Sequence, residues 1–400
     1  MPETEVITFY AEADYDLTDS VELYSELLLN RRTTKNNSYR QFWTYTYANG
    51  TFLADREGWS GSQWYSPTAI TDHNDQEIEV NYTRFVAGLR GDIGDTSWSW
   101  DTTLQYCVSD GDYTAEQIFN DSIEDIWGQV VSCVGTVSSV RGAPCVDVNW
   151  LSPEVMRGNL TPEEREFLFG VETGNTEYTQ WSFDAFVTGE LYELPAGALS
   201  IATGIHYRED EIDDLPGEIT LAGNGWGSSA AGNTVGDDKT QAVFMEFDAP
   251  LLADLPAIHN LTVNASARDT DVDSYGDDTT WKVGFNWSIT ESIRIRGNRG
   301  TSFRTPALFE LFLANETGFP SVRIDPCRNW GSALANGSIT QTIADNCAAD
   351  QSSVGGPAAG FDPAYTGGTI SPTAFSGGGF GTLEAETSTS ETIGLIWQPD

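Results

Sequence analysis

The stretch SIRIRGNRGTSFRTPALFELF, residues 292–312, decides how the whole chain is interpreted. It opens with a strict alternation of Ile293, Arg294, Ile295 and Arg296. Successive side chains of a strand point to opposite faces, so this pattern predicts a strand with one apolar and one polar face. It also raises a question, because a very acidic chain places scarce arginines on a single side of that strand.

The composition narrows the class of protein. The chain has 400 residues, with 60 acidic against 20 basic side chains and a formal net charge of -40. Binding of nucleic acid needs a basic surface, so we expect no nucleic-acid partner. Apolar residues make up 39% of the chain, which argues against disorder. No run of 18 apolar residues occurs, so no transmembrane helix is predicted, although membrane-spanning strands never produce such a run.

Alternating segments recur along the chain, and their spacing predicts the architecture. Short connections such as 18–20, 91–95 and 289–292 alternate with long ones such as 108–179, 270–279 and 301–385. A transmembrane barrel sorts its connections in this way, with tight turns at one end and long extracellular loops at the other. We therefore predict an all-β fold, an antiparallel transmembrane β-barrel. The eleven predicted strands are 4–17, 21–31, 79–90, 96–107, 180–190, 198–208, 240–248, 259–269, 280–288, 292–300 and 386–397.

The barrel interpretation answers the opening question. The isoleucines of 293–300 would face lipid, while Arg294, Arg296 and Asn298 would face the lumen. Arginines inside a barrel need anionic or polar partners. A porin would pair them with acids of its own lumen, and a barrel filled by a separate domain would pair them with that domain.

The long connections are predicted to carry structure of their own. Residues 160–169 read as a short helix that begins after Thr161, with Pro162 in its first turn and Glu164 completing a capping box. Residues 114–127 begin in a similar way and predict a second helix. The aromatic-rich stretches 38–50 and 56–67 are candidate ligand platforms, or alternatively they anchor loop against loop. Their candidate ligand-binding residues are Trp43, Tyr45, Trp59 and Trp64.

Five cysteines suggest disulfides in the loops. The spacing favours Cys133 with Cys145 and Cys327 with Cys347, and leaves Cys107 over; the alternative is unpaired thiols. A bridge across a 20-residue span would contribute roughly 3 kcal/mol by restricting the unfolded loop.

Metal and catalytic chemistry find little support. The acidic stretch 269–278 invites a calcium hypothesis, but Ser274 and Thr280 stand where an EF-hand needs Gly and Glu, so a solvated loop tip is favoured. Three scattered histidines make a zinc site or a catalytic triad improbable on sequence grounds. We expect no enzyme activity, no catalytic residue, no metal and no cofactor.

The opening stretch closely resembles a barrel motif of TonB-dependent outer-membrane receptors, in which an alternating strand precedes G-T-x-F-R-x-P-x-x-x-E-L-F. The matching residues are Gly300, Thr301, Phe303, Arg304, Pro306, Glu310, Leu311 and Phe312. Residues 189–210, 268–289 and 386–400 are similar to further motifs of the family, in the family's order. Over 1–179 the resemblance rests on strand pattern alone.

This resemblance implies a bacterial outer-membrane barrel of 22 strands with an N-terminal plug domain in its lumen. Such proteins import ferric siderophores, cobalamin, haem or oligosaccharides with energy delivered through the plug by the TonB complex. Eleven strands are about half of such a barrel, and an open half-barrel would leave two unpaired edges in lipid. No plug, TonB box, signal peptide or closing strand is visible, so we expect residues 1–400 to be one part of the barrel of a longer protein.

The resemblance also implies which residues face the lumen or the plug. The expected set is Arg294, Arg296, Phe303, Arg304, Pro306 and Glu310. Arg304 and Glu310 would order the lumen wall against the plug; alternatively Arg304 pairs with an acid of a neighbouring strand, or contacts the ligand directly.

Two other functions remain open on the sequence. A secreted β-rich adhesin or carbohydrate-binding protein would explain the strands and aromatics, but not the alternation of short and long connections. A porin without a plug would explain the barrel. The excess of acidic residues disfavours an anionic ferric siderophore as ligand, unless a local arginine cluster overrides it.

Overall fold

The structure, a computed structural model, describes residues 2–37, 40–47, 62–70, 75–123, 132–148, 152–318, 322–352, 357–366, 373–375 and 377–399, and only the backbone of 40–47, 62–70 and 373–375. Its dominant feature is one antiparallel sheet of eleven strands, each paired with its neighbours in chain order. These strands are β1 (Glu3–Thr18), β2 (Val21–Asn36), β5 (Gln76–Asp92), β6 (Ser99–Ile118), β7 (Phe169–Leu194), β8 (Gly197–Leu215), β9 (Thr234–Leu255), β10 (Ile258–Val272), β11 (Gly276–Ser288), β12 (Ile293–Arg304) and β15 (Glu386–Trp397).

The remaining described elements belong to the connections. Two ribbons lie outside the large sheet, β3 (Arg40–Tyr47) with β4 (Ser62–Ile70) and β13 (Glu316–Gly318) with β14 (Thr373–Phe375). Short 3₁₀ turns occur at Asn120–Ser122 and Val322–Ile324. The helices are α1 (Pro153–Met156), α2 (Pro162–Leu168), α3 (Glu218–Leu221), α4 (Leu308–Phe312), α5 (Trp330–Ala335) and α6 (Gln341–Ala348). Among the described residues, no helix is long and apolar enough to cross a membrane.

All eleven predicted strands are present, and most are longer than predicted. β7 has 26 residues and β6 has 20, whereas about 9–11 residues suffice to cross a bilayer. Most of the added length lies at the end where the long connections leave the sheet, although β9 also extends to Leu255 at the opposite end. The connection between β10 and β11 is therefore only 273–275, and the predicted long connection 270–279 is wrong.

The two predicted loop helices had different outcomes. Helix α2 begins after Thr161 as expected, and Thr161 and Glu164 form the capping box. The helix predicted for 114–127 is wrong over its described residues, because 114–118 continue β6 and pair with β7, and 120–122 form only a 3₁₀ turn. Residues 124–127 lie outside the described part of the chain. Pairing with the long neighbouring strand favours the extended conformation more strongly than the local capping residues favour a helix.

The sheet has the two faces that alternation requires. One face is apolar and exposed, with Phe9, Val243 and Leu395 among its side chains. The opposite face carries the polar side chains. The pairing of β12 with β15 runs from Ile293 to Arg304 without a register shift, so the alternation is unbroken there. Within the described residues β1 and β15 do not pair with each other, and the sheet is an open part of a barrel.

Candidate functional site

The polar face of β12 forms the centre of the site. Two glycines show which large side chains lie against the apolar and the polar face of this part of the sheet. The ring of Phe285 lies over Gly297 on the apolar face, where a Cβ would come within 2.7 Å of it. On the polar face, Arg296 lies over Gly394 of β15, with Nε 3.5 Å from an ideal Cβ position. Glycine at 297 therefore leaves room for the ring of Phe285, whereas Arg296 makes an ordinary contact over Gly394.

Arg304 closes the polar face at the end of β12 and binds two carboxylates. Its Nη1 and Nη2 donate to Glu310 at 3.0 and 3.1 Å, a two-point contact. Its Nη2 also donates to Oε1 of Glu386 on the neighbouring strand at 3.3 Å. The hydrogen bonds from Arg304, together with one from the Ala307 backbone amide, hold the pKa of Glu310 below its ordinary value. The cluster is half exposed, so its ion pairs add little to the stability of the fold. Its main effect is to fix the relative positions of the three side chains.

The segment after β12 folds back against the polar face of the sheet. Leu308 and Leu311 of α4 are buried. The ring of Phe312 lies over Gly236 of β9, where a Cβ would come within 2.3 Å of the ring. The amide of Ala314 donates to Oγ1 of Thr234 at 3.1 Å. Arg304 thus joins Glu310, in α4 of this segment, to Glu386 of the neighbouring strand.

The structure places the expected lumen residues unevenly. Arg294, Arg296 and Arg304 share one face of β12, and Glu310 joins Arg304. Pro306 lies half-buried between β12 and α4. Phe303 lies on the opposite face, beside Ile293 and Ile295 in the alternation, and this corrects the expectation that it faces the lumen with Arg304.

Glu386 was missed as a partner of Arg304. The two residues are 82 positions apart in the chain, and only the register of β12 with β15 brings them opposite each other. The sequence did predict a strand at 386–397, but nothing in it predicted which residue of β12 each of its residues would oppose.

The candidate ligand aromatics fall in the separate ribbon of β3 and β4. Tyr45 and Trp64 are cross-strand partners in the backbone register, and Trp43 lies at the register shift between Phe42 and Thr44. Trp59 lies outside the described residues. The ribbon leaves the sheet at the end where the long connections lie.

The connection between β6 and β7 contains a buried polar cluster that sequence reasoning did not find. The side chain of Asp121 has no exposed surface, and one of its oxygens accepts from Nε of Arg141 at 2.9 Å. The guanidinium carbon of Arg141 lies 3.5 Å from the ring centroid of Phe119. Burial alone would raise the pKa of Asp121, but hydrogen bonds from Arg141, Ser138 and Asn224 outweigh it and leave that pKa below its ordinary value.

The structure joins the expected cysteine pairs. Cys133 bonds Cys145 and Cys327 bonds Cys347, while Cys107 is free and buried. The first bridge lies in the connection that carries Arg141, and the second ties α6 to the residues before α5. No group of three or more His, Cys, Asp or Glu side chains suited to a metal gathers within the described ranges, including the turn at 273–275.

Comparison with known proteins assigns the class. The family model described as "TonB dependent receptor-like, beta-barrel" matches residues 14–400, and the chain belongs to this family. The fold agrees: the ferric enterobactin receptor PfeA of Pseudomonas aeruginosa aligns over 100% of the chain with a TM-score of 0.51 and 13% identity. The siderophore receptor PirA of Acinetobacter baumannii aligns over 100% of the chain with a TM-score of 0.50 and 11% identity. The family is one of receptors, in line with the expected absence of enzyme activity.

Among named relatives, the vitamin B12 transporter BtuB of Photobacterium profundum is 28% identical over 105 residues, 26% of this chain and 17% of that protein. BtuB of Vibrio vulnificus is 28% identical over 118 residues, 30% of this chain and 17% of that protein. The matches span about a sixth of these transporters, and the chain spans 41% of each of the two receptors in the structural comparison.

Proposed function

We propose that this chain is part of an outer-membrane receptor that binds a scarce nutrient and imports it with energy transmitted by the TonB complex. The protein would lie in the bacterial outer membrane, with its apolar face against lipid and its long connections outside the cell. The TonB complex would act through a plug domain in the lumen, which is not among these 400 residues. We place the chain, residues 1–400, in the barrel of that receptor.

The observation that carries this proposal is that the family match, over 14–400, includes the whole two-faced sheet except the first residues of β1. A large exposed apolar face is expensive in water and is stable against lipid. The polar opposite face, with carboxylates and arginines on most strands, suits a wetted or protein-filled lumen. A secreted adhesin would have no reason to keep such an apolar face exposed.

The nutrient is expected to be of the class that the relatives take up, cobalamin or a ferric siderophore, with haem and oligosaccharides as further candidates. The ribbon of β3 and β4 projects from the outer end of the sheet and carries aromatics suited to planar or sugar ligands. We infer that it contributes to capture, while the polar wall of the sheet receives the solute after capture.

Arg304 and Glu310 are proposed to position the inward-folded segment 305–318 against the plug. Arg304 already pairs with Glu386 of the neighbouring strand, so the cluster ties the wall and the segment together. In this role Arg304 orders protein against protein and does not bind the nutrient.

Uptake in whole cells tests the proposal. A strain that lacks this receptor, the complemented strain, and a complemented strain that lacks TonB are compared for uptake of radiolabelled cobalamin and ferric enterobactin. We expect uptake of one nutrient in the complemented strain alone, with surface binding retained when TonB is absent. Uptake that continues without TonB would indicate a porin, and the absence of both uptake and binding for the nutrient classes named above would refute the proposal.

A further inference from the structure

Four basic side chains on the polar face of β10–β12 have no acidic partner within the described part of the chain. They are Arg268, Lys282, Arg294 and Arg296, called here the cationic wall. None of the four forms an ion pair with a carboxylate of the described residues, and Arg268 has only a weak hydrogen bond to Oγ1 of Thr270 at 3.3 Å. This is unexpected in a chain with three acids for every base.

Elsewhere on the same face, two arginines are paired with acids of a neighbouring strand. Arg84 lies 3.3 Å from Glu26, and Arg90 lies 2.6 Å from Glu22. Both pairs bridge the neighbouring strands β2 and β5. Acids also occur on the polar face near the cationic wall, such as Asp278 of β11 and Glu246 of β9. Among the described residues, none of these acids lies within ion-pair distance of the four basic groups.

The strand register places the four residues at successive levels along the strands, an arrangement called here the ladder. Arg294 pairs with Ser288 close to the tight turn 289–292, and Arg296 pairs with Asn286. Two steps further along the sheet, Lys282 pairs with Gly300. Arg268 pairs with Thr280, nearer the end that carries the long connections. The positive charges therefore follow the direction in which a solute would cross.

A cavity lies at the outer end of the ladder. Its volume is about 360 Å³, and its lining includes Arg208, Arg268 and Arg304 together with the hydroxyls of Thr240 and Thr270. Arg208 has an acid beside it, since its Nε lies 2.7 Å from Asp210, a contact without hydrogen-bond geometry. Arg268 alone of these three arginines has no carboxylate partner among the described residues. Hydroxyls and guanidinium groups together are the donors that carboxylate and phosphate oxygens accept from.

We propose that the cationic wall binds the anionic groups of the transported solute, so that the receptor selects a nutrient bearing carboxylate or phosphate oxygens. The inference rests on the proposed uptake function and adds the chemistry of its cargo. The wall provides the local cluster of basic residues that overrides the overall negative charge. An anion that enters the cavity at Arg268 can be passed to Lys282 and then to Arg296 and Arg294 without crossing an acidic stretch of this wall.

A cysteine introduced within the cationic wall of the full-length receptor tests the electrostatic potential at the wall. Asn298 lies on the same face of β12, two residues from Arg296, and pairs with Gly284. With Cys107→Ser removing the free thiol, Asn298→Cys is labelled with an anionic and a cationic methanethiosulfonate of similar size. Their rates are normalised to those of free cysteine. Labelling is done in cells that lack TonB, so the result does not depend on transport.

The expected preference can be worked from charge alone. Arg296 and Lys282 at about 8 Å and Arg294 at about 13 Å, in water at 0.1 M salt, favour the anionic reagent over the cationic one roughly sixfold. We expect this ratio to approach one when Arg294, Arg296 and Lys282 are replaced by Gln. The matched control is Arg299→Gln, because Arg299 lies one residue from the reporter but on the outer face, paired with Glu391. It should leave the ratio unchanged.

Protection of the introduced cysteine by an added anion then tests whether the cationic wall binds anions. Millimolar citrate, a tricarboxylate, should slow the reaction of Asn298→Cys with a neutral reagent, whereas spermidine should not. A reporter that reacts with neither charged reagent would mean that a protein domain covers the wall, and would overturn the proposal. A ratio near one would mean that acids outside these residues neutralise the wall, and would overturn it too. A ratio of roughly sixfold without citrate protection would leave a positive potential but refute anion binding. Each result stands whether or not nutrient uptake is observed.

Discussion

Replacing Arg141 by Ala should release the long connection between β6 and β7 while leaving the large sheet intact. Arg141 donates from Nε to the buried carboxylate of Asp121 at 2.9 Å and from Nη2 to the carbonyl oxygen of Phe167 at 2.9 Å. It also covers the ring of Phe119. One side chain thus ties the disulfide-closed loop 132–148 to the end of α2 and to the turn after β6.

The expected loss of loop stability follows from the burial of Asp121. The side chain of Asp121 has no exposed surface, and removing one partner of a buried ion pair costs about 3–5 kcal/mol. Backbone amides of Val140 and Arg141 and the side-chain amide of Asn224 still donate to Asp121 in the variant, so the low end applies. A loss of about 3 kcal/mol raises the exchange rate of protected loop amides by roughly 10²-fold.

Hydrogen exchange read by mass spectrometry measures this change. The reporting amides are those of Ser138, bound to Ala143 O at 2.8 Å, and Cys145, bound to Thr136 O at 3.0 Å. The matched control is Arg157→Ala, since Arg157 forms an exposed pair with Glu154 in the same connection and should change exchange about twofold at most. Unchanged exchange at Ser138 and Cys145 in the Arg141 variant would refute the reasoning that this pair holds the loop.

The same cluster predicts a pH dependence with a definite sign. The pKa of Asp121 lies below its ordinary value of 3.8 in the folded protein. A depressed carboxyl pKa stabilises the fold above the unfolded value, and the stabilisation is lost as pH falls through the folded value. Loop protection, corrected for intrinsic exchange, should therefore be constant between about pH 7 and 5 and decline only below the ordinary value. A decline that begins near pH 6 would contradict the assignment.

Two further substitutions test the inward-folded segment. Arg304→Ala should reduce nutrient uptake while outer-membrane insertion, measured by heat-modifiable migration, stays normal, and Arg299→Ala on the outer face is the control; normal uptake at normal expression would remove the proposed role of Arg304. Gly236→Val would drive a side chain into the ring of Phe312 and should destabilise α4 by about 1–3 kcal/mol, seen as faster exchange of its amides. Gly111→Ala, whose Cβ would meet nothing closer than 3.5 Å, should leave α4 unchanged, and equal effects of the two would contradict the packing argument.

The sequence by itself determined the eleven strands and their two faces. Alternation of apolar and polar residues is a local property of the sequence. Every strand of a membrane barrel has it, because one face of the strand meets lipid and the other meets the lumen. The capping box of α2 was equally local, since Thr161 and Glu164 are three residues apart. The motif around Arg304 and Glu310 carried the family resemblance for the same reason.

Only the tertiary structure decided how far the strands extend and what meets across them. Residues 114–118 have a helix-start signal but lie beside β7, whose ladder keeps them extended. Glu386 opposite Arg304 depends on register, and Asp121 with Arg141 depends on two loop segments that dock. The absence of ion pairs between the cationic wall and described acids likewise depends on the positions of neighbouring strands. Pairings between residues far apart in the chain leave no local periodicity, because the physical contact that selects them exists only once the sheet has formed.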